Sequence, residues 1–339
     1  MRKNNIKHGF KKIALTCAAL CMCVAAAGCG KSGGGTKKEL TLKAGFSTAA
    51  SDPRVVATEH FKEEVEKATE GRIKIEIHTD GELGSDSDLI SGVVNGTVDI
   101  TASSAGNFAT YDANVGISAF PFLFDSFEDA WEFVESKTEE EAEKGLANYN
   151  IEVLSHFDNG FRCVTTSEKA GEVNSVSDME GLKIRTPENQ IVMTTMQALG
   201  AKPEVLGFAE LYDALKTGKF DAQENPIPVI YNNKLYEVQK NLAITNHSYD
   251  AMLFVINKEV WDELSPEDQQ ILYDAAQKAE KEDRDMIKQQ TEDYIAKLEE
   301  AGMKVTYPDL EEFKEATSSV ADSFAGKYDK ELLQKIKEQ

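Results

Sequence analysis

The sequence predicts an α/β fold of two lobes arranged as a clamshell, with one long helix bracing both. Three observations carry this. Alternating apolar strands and amphipathic helices succeed one another from Leu40 to about Asn257, the pattern of layered α/β sheets. Two stretches, SGVVNGTVDITAS (Ser91–Ser103) and DALKTGKFDAQEN (Asp213–Asn225), echo each other as helix, glycine, aspartate and strand. Helix–glycine–strand is also common in unrelated chains, so the echo alone does not establish two related units. Third, Pro266 to about Ala301 is rich in Glu, Lys, Gln and Ala with no internal Pro or Gly. That is one helix on the order of 50 Å long, enough to span two small lobes.

The elements follow in order. Leu40–Phe46 alternates as a strand. Pro53 opens a helix that Gly71 stops, and Arg72–His78 is a second alternating strand. Ser85 or Asp86 caps a helix to Asn95, after which TVDITAS reads as a strand. Ile151–Phe157 and Phe161–Thr166 are expected to be two strands around an Asp158-Asn159-Gly160 turn. Then come strand Leu182–Arg185, helix Glu188–Leu199, strand Lys202–Val205, helix Phe208–Lys216, strand Phe220–Gln223 and helix Pro226–Val238. Ala251–Asn257 is a further strand. Ser265-Pro266-Glu267 starts the long helix with a cap, a first-turn proline and an acid. A last helical stretch runs from Asp309 toward Gln339.

The amino end differs from this body. Met1–Lys12 carries five cations and no acid, and an apolar run from Ile13 to Ala27 ends in small residues before Cys29. That describes a secretion signal over residues 1–28, too short to span a bilayer comfortably. Cysteine after Ala-Ala-Gly resembles a bacterial lipobox, with Cys29 lipid-modified after cleavage; an ordinary signal peptide cut at another small residue is the alternative. Residues 29–39, rich in Gly, Ser and Lys, read as a flexible tether, which favours the lipobox. GCGKS is not a phosphate-binding loop, because the first glycine of that pattern falls on Ala25 and no strand precedes it.

Loss of five cations moves the net charge from −22 to about −27. So acidic a body argues against nucleic acid as a partner. Cys29 and Cys163 are the cysteines left, so neither a structural disulfide nor a cysteine metal cluster forms within one chain. From Leu40 onward no G-x-S-x-G, H-E-x-x-H or G-x-G-x-x-G is present, and the glycine-rich residues 28–34, which match two of these patterns, follow no strand, so neither an enzyme nor a cofactor is implied. His60, His78, His156 and His247 are scattered without metal-ligand spacing; His247 either lines the crevice or, the expected role, is a hydrogen-bonded structural residue. Cys163 reads as an inert thiol.

Polar residues at strand ends remain. In GLKIRTP, Leu182 and Ile184 take one face while Lys183 and Arg185 take the other, and Pro187 forces Thr186 into extended geometry. Arg185 thus ends a strand, where open α/β sheets present their ligand crevice. Its spacing alone favours a solvated surface arginine. NGFR places Arg162 just after a turn, and DAQENP ends a strand in Asn225. Two guanidiniums and an amide suit a carboxylate, with Phe208 as an apolar wall.

These motifs, with SVSDMEGLKIRTP, ALGAKPEVLGFAELYDALKTGKFDAQENP, LYEVQKNLAITNH, LGSDSDLISGVVNGTVDI and FPFLF, closely resemble the substrate-binding subunit of TRAP transporters (tripartite ATP-independent periplasmic transport, the DctP family). The likeness runs from about Leu40 onward. It implies a periplasmic-binding-protein-like clamshell that captures an organic acid outside the cytoplasm and delivers it to a membrane permease. By that resemblance Arg185 makes the principal salt bridge to the ligand carboxylate, Arg162 and Asn225 add contacts, and Phe208 packs on the ligand. Ser47, Asp86 and Ser104 of the first lobe are expected to face the cleft. The lobes are expected at 40–160, completed by about 251–290, and at 161–250, completed by about 291–339. Sialic-acid binders carry a glutamate where this chain has Ser104, which points instead to a C4-dicarboxylate or a sugar acid such as a uronate. A secreted sugar-acid enzyme and a ligand-binding sensor are the competing readings.

Overall fold

In the computed structural model, residues 39–324 and 326–337 are described. The predicted signal segment, Cys29 and all of the tether but Glu39 lie outside them. The sheet strands are β1 (Leu40–Gly45), β2 (Ile73–His78), β3 (Ile100–Ser104), β4 (Ile151–Thr166), β5 (Lys183–Thr186), β6 (Lys202–Val205), β7 (Ala222–Pro226), β8 (Asn241–Asn257) and β9 (Lys304–Thr306). They form one sheet in the order β2-β1-β3-β8-β4-β7-β5-β6, with β9 beside β8.

Local chemistry sets the helices between them. Asp52 caps the helix Pro53–Ala68, its side chain accepting from the Arg54 amide. Ser85, rather than Asp86, caps Asp86–Asn95 in a reciprocal box with Asp88, and Gly96 ends it with φ 76°. The long helix runs from Pro266 to Glu300 behind the Ser265 cap. Its first half packs Leu272, Ala275, Ala276 and Ala279 with Phe61 and Phe254 under β1–β3, while Leu298 joins Leu211, Leu215 and Phe220 beyond β4. It therefore braces both halves.

Two sequence expectations are corrected. Ile151–Phe157 and Phe161–Thr166 are not separate strands around a turn but the single sixteen-residue β4, paired antiparallel with the seventeen-residue β8. Asp158-Asn159-Gly160 is absorbed as an irregularity in register between Asp158 and Phe161, with Gly160 at φ 95°. The hairpin loses because its polar groups find partners elsewhere. The Asp158 amide donates to Asp283 of the long helix (2.6 Å), and the Asp158 carboxylate accepts from the Gly160 amide (2.6 Å) and Trp131 Nε1 (2.8 Å). The carboxyl-terminal stretch is likewise divided into Leu310–Thr317, a short 3-10 turn at Ala321–Phe324 and Lys330–Lys337. Gly326, at φ 85°, lies in the last break.

The pairing positions the site. Ser104, the end of β3, faces Met252 of β8, and Pro226, the end of β7, faces Arg162 of β4. Both strand ends therefore arrive at the middle of β4 and β8, from opposite directions.

Candidate ligand-binding site

A cavity of about 40 Å³ lies where those ends converge. Ser47, Asp86, Ser104, Arg162, Arg185, Phe208 and Asn225, the residues singled out from the sequence, all line it. Two other cavities are larger, about 380 and 290 Å³. The second of these adjoins the central cavity, sharing Ser47, Thr48 and Phe208 with it. Volume does not single out the central cavity; its charges do.

Arg162 is buried and largely committed to protein acids. Its Nε and Nη2 donate to the Glu224 carboxylate, Nη2–Oε1 being 2.8 Å, and its Nη1 donates to Asp250. Nη2 also reaches the Glu224 carbonyl (3.0 Å) and Asn225 Oδ1 (3.2 Å). Burial alone lowers the Arg162 pKa, but Glu224 and Asp250 outweigh it and hold the guanidinium charged. Burial also pushes Glu224 up, and Arg162 more than reverses this. Little donor capacity is left on Arg162 for a ligand.

Arg185 is different. It is 2 % exposed, and its Nε and Nη2 both donate to one neutral acceptor, the Leu206 carbonyl, at 2.9 and 2.7 Å. Among the described residues no carboxylate forms an ion pair with it. Its guanidinium carbon stands 5.9 Å from the Phe208 ring centroid, so a cation–π contact supports it. Burial, with the positive charge of Arg162 adding to it, pushes the Arg185 pKa down to about 10 against the pull of Glu224 and Asp86. A buried cation without a counter-ion is expensive unless an anion arrives.

The rest of the lining offers hydrogen-bonding groups. Asp86 accepts from Ser47 Oγ (2.9 Å) and Ser103 Oγ (3.4 Å) and lines the same cavity as Arg185. Asp250 accepts from Ser104 Oγ (2.6 Å), Asn159 Nδ2 (2.8 Å) and Arg162. Thr48 Oγ1 and Asn107 Oδ1 are buried with no hydrogen-bond partner. Asn225 donates Nδ2 to Gln223 at 2.5 Å, which fixes the amide against Arg162.

Sequence reasoning missed Arg54, Asn107 and Asp250. Arg54 is neutralised by a two-pronged pair with Asp52 at 2.9 and 3.0 Å. Two signals were available: a cation in the first turn of a helix, against the dipole, and an acid inside the apolar run SYDAMLFVIN. His247 does not line the cavity. It is fully buried within β8, with Nδ1 2.8 Å from Thr245 Oγ1 and Nε2 3.5 Å from Glu224 Oε2, beneath the Arg162 pair.

Two sets of parallel strands that share two long antiparallel strands, with a polar cavity at the crossing, make a two-lobed solute-binding protein. The chain belongs to the DctP family, bacterial extracellular solute-binding protein family 7, whose model matches residues 44–327. It is 35% identical over 286 residues to the 2,3-diketo-L-gulonate-binding periplasmic protein YiaO of Escherichia coli, covering 84% of this chain and 87% of that one. A TRAP periplasmic solute-binding protein of Polaromonas sp. JS666 bound to D-erythronate superposes with a TM-score of 0.85 at 32% identity, covering 88% of this chain and 98% of the other. The sugar-acid-binding protein DctPAm of Advenella mimigardefordensis in complex with galactonate gives 0.85 at 30%, covering 89% and 97%. Members of this family bind solutes for transport, and the chain is a binding protein rather than an enzyme. No described helix is long and apolar enough to cross a membrane.

Proposed function

We propose that this protein captures a sugar acid, a hydroxylated monocarboxylate of the aldonate or uronate kind, and delivers it to a TRAP membrane permease. The observation that carries the reading is Arg185, a buried guanidinium facing the cavity with no acid of its own. A ligand carboxylate supplies the missing anion, with Nη1 and the second Nη2 hydrogen as a fork.

Charge decides between the candidate acids. Arg54 is matched by Asp52, and Arg162 by Glu224 and Asp250, so one cation is left over while Asp86 faces the cavity without one. A second carboxylate would meet Asp86 and Asp250, and like charges in a desolvated space repel strongly. Hydroxyls instead donate to those same acids and to Asn107 Oδ1. A C4-dicarboxylate is therefore the poorer fit. The ligands named for the relatives, D-erythronate, galactonate and 2,3-diketo-L-gulonate, are sugar acids and support the same reading.

Arg162, Asn225, Phe208, Ser47, Asp86 and Ser104 complete the binding set in this reading, with Arg162 holding the floor of the site through Glu224 rather than gripping a carboxylate. Residues 40–160 with about 251–290, and 161–250 with about 291–339, act as the closing lobes. Cys29 carries a lipid that keeps the protein beside its permease on the outer face of the bacterial cell membrane.

Thermal melts against erythronate, galactonate, gulonate, galacturonate, succinate and sialic acid test this. A ligand bound only by the folded state adds RT ln(1 + [L]/Kd), roughly 2.7 kcal/mol at a hundredfold excess. The expected outcome is a clear rise in Tm with one or more sugar acids, little with succinate, and none in Arg185→Ala, where an anion loses its partner at a cost of about 3–5 kcal/mol. A shift with sugar acid that persists in Arg185→Ala overturns the assignment of the carboxylate.

A further inference from the structure

A second buried polar cluster lies outside the ligand cavity. Glu139 and Glu143 stand one turn apart on the helix Lys137–Glu143, and His156 of β4 meets them. One ligand atom from each lies within 4.8 Å of the other two. His156 Nε2 is 2.7 Å from Glu143 Oε1. Glu139 is 1 % exposed, and neither of its carboxylate oxygens has a hydrogen-bond partner.

That last fact needs an explanation. A buried carboxylate with neither donor nor counter-ion costs several kcal/mol. The surroundings make it worse, because Glu280 also approaches, its Oε2 accepting from the His156 amide at 3.1 Å. Arg284 answers Glu280 and Glu135, at 2.5 and 2.6 Å, rather than Glu139. One imidazole is thus set against a surplus of acid.

We propose that Glu139, Glu143 and His156 form a binding site for a divalent transition metal, with Zn²⁺ the best-fitting ion. Carboxylate oxygen and imidazole nitrogen are both zinc donors at about 2.0–2.2 Å, and an imidazole in the set disfavours Mg²⁺ and Ca²⁺. Donors placed tetrahedrally around such a centre stand roughly 3.3–3.6 Å apart, so His156 Nε2 and Glu143 Oε1, in contact at 2.7 Å, part slightly to admit the ion. Three protein ligands leave a fourth position for water. None of the three lines the ligand cavity, and the ion would clamp the helix Lys137–Glu143 to β4, with Glu280 linking to the long helix. Ligands split between one helix and a distant strand have no sequence spacing to betray them.

The test is calorimetric titration of Zn²⁺ into the full chain after stripping with EDTA, with Mg²⁺ as control. One zinc per chain is expected, at micromolar affinity or tighter, with a raised Tm and no response to Mg²⁺. His156→Ala and Glu139→Gln are each expected to weaken binding at least tenfold while leaving sugar-acid affinity unchanged. Melts of the metal-free variants confirm that both fold. Three results overturn the site: no binding at 100 µM zinc, zinc binding undiminished in both variants, or a Glu139→Gln variant that is more stable than a wild type indifferent to zinc. The last would show that Glu139 is simply buried as a neutral acid.

Discussion

Arg185 shows how far a residue can be read from its neighbours. The alternation in GLKIRTP correctly places Ile184 in the core and Lys183 outside, where Lys183 stands 3.5 Å from Glu204. It cannot show that Arg185, on the same side of the pleat, is covered while Lys183 is not; that cover joins Leu206 and Phe208 to residues more than eighty positions away, Asp86 and Ser104 among them. Nor can spacing show that Arg162 is matched by two acids, because Glu224 and Asp250 reach it only through the pairing of β4 with β7 and β8. At this scale the sharpest prediction concerns Asp86. If its charge bars a second carboxylate, Asp86→Asn keeps the hydrogen bonds from Ser47 and Ser103 within reach but removes the repulsion. Calorimetry is expected to show weaker sugar-acid binding, by about three- to tenfold for one lost charged acceptor, together with a gain in succinate affinity. Unchanged discrimination would show that Asp86 does not select the ligand.

Short elements were legible because their signals are local. Pro53, Ser265-Pro266 and the Ser85 box mark helix starts through capping chemistry that needs no tertiary partner. The long strands β4 and β8 were not legible, because turn-forming residues inside a strand look like its end. Asp158-Asn159-Gly160 stays in the strand only because Asp283 and Trp131 answer its polar groups. Gly160 is the residue on which that irregularity rests. An added Cβ would find ordinary space, 3.4 Å from Ile287 Cγ2 and 3.5 Å from Pro226 Cβ, but the backbone sits at φ 95°. Gly160→Ala is therefore expected to destabilise by about 1–2 kcal/mol through backbone strain rather than by clash. Because Arg162 lies two residues on, the same change is expected to weaken ligand binding. Thermal melts and a titration read both effects, and a variant as stable as wild type would mean that β4 tolerates a different path through its middle.

For the whole molecule, the uncompensated charge on Arg185 becomes a question of closure. Residues from both the early and the later strands enclose it, among them Ser47, Ser104 and Asn225, and Ser87 Oγ donates to Glu188 Oε2 at 2.6 Å, a contact between residues far apart in the chain. That exposed contact is worth roughly 0–1 kcal/mol, too little to hold a closed form by itself. If the two halves close as proposed, closing without a ligand buries a lone guanidinium, and the desolvation of that one group is expected to bias the empty protein toward an open form. In that proposal a bound carboxylate removes the penalty only when the cleft is closed, which is the differential affinity that any ligand-driven closure requires. Arg185→Met keeps a long side chain and deletes the charge. It is expected to abolish sugar-acid binding yet raise the Tm of the empty protein by a few degrees, the trade of stability for function found at charged sites. Small-angle scattering makes the test specific to closure. Wild type is expected to shrink in radius of gyration when sugar acid is added, whereas Arg185→Met is expected to start at the compact value and stay there. A variant as open as empty wild type would mean that the charge of Arg185 grips the ligand but does not hold the lobes apart.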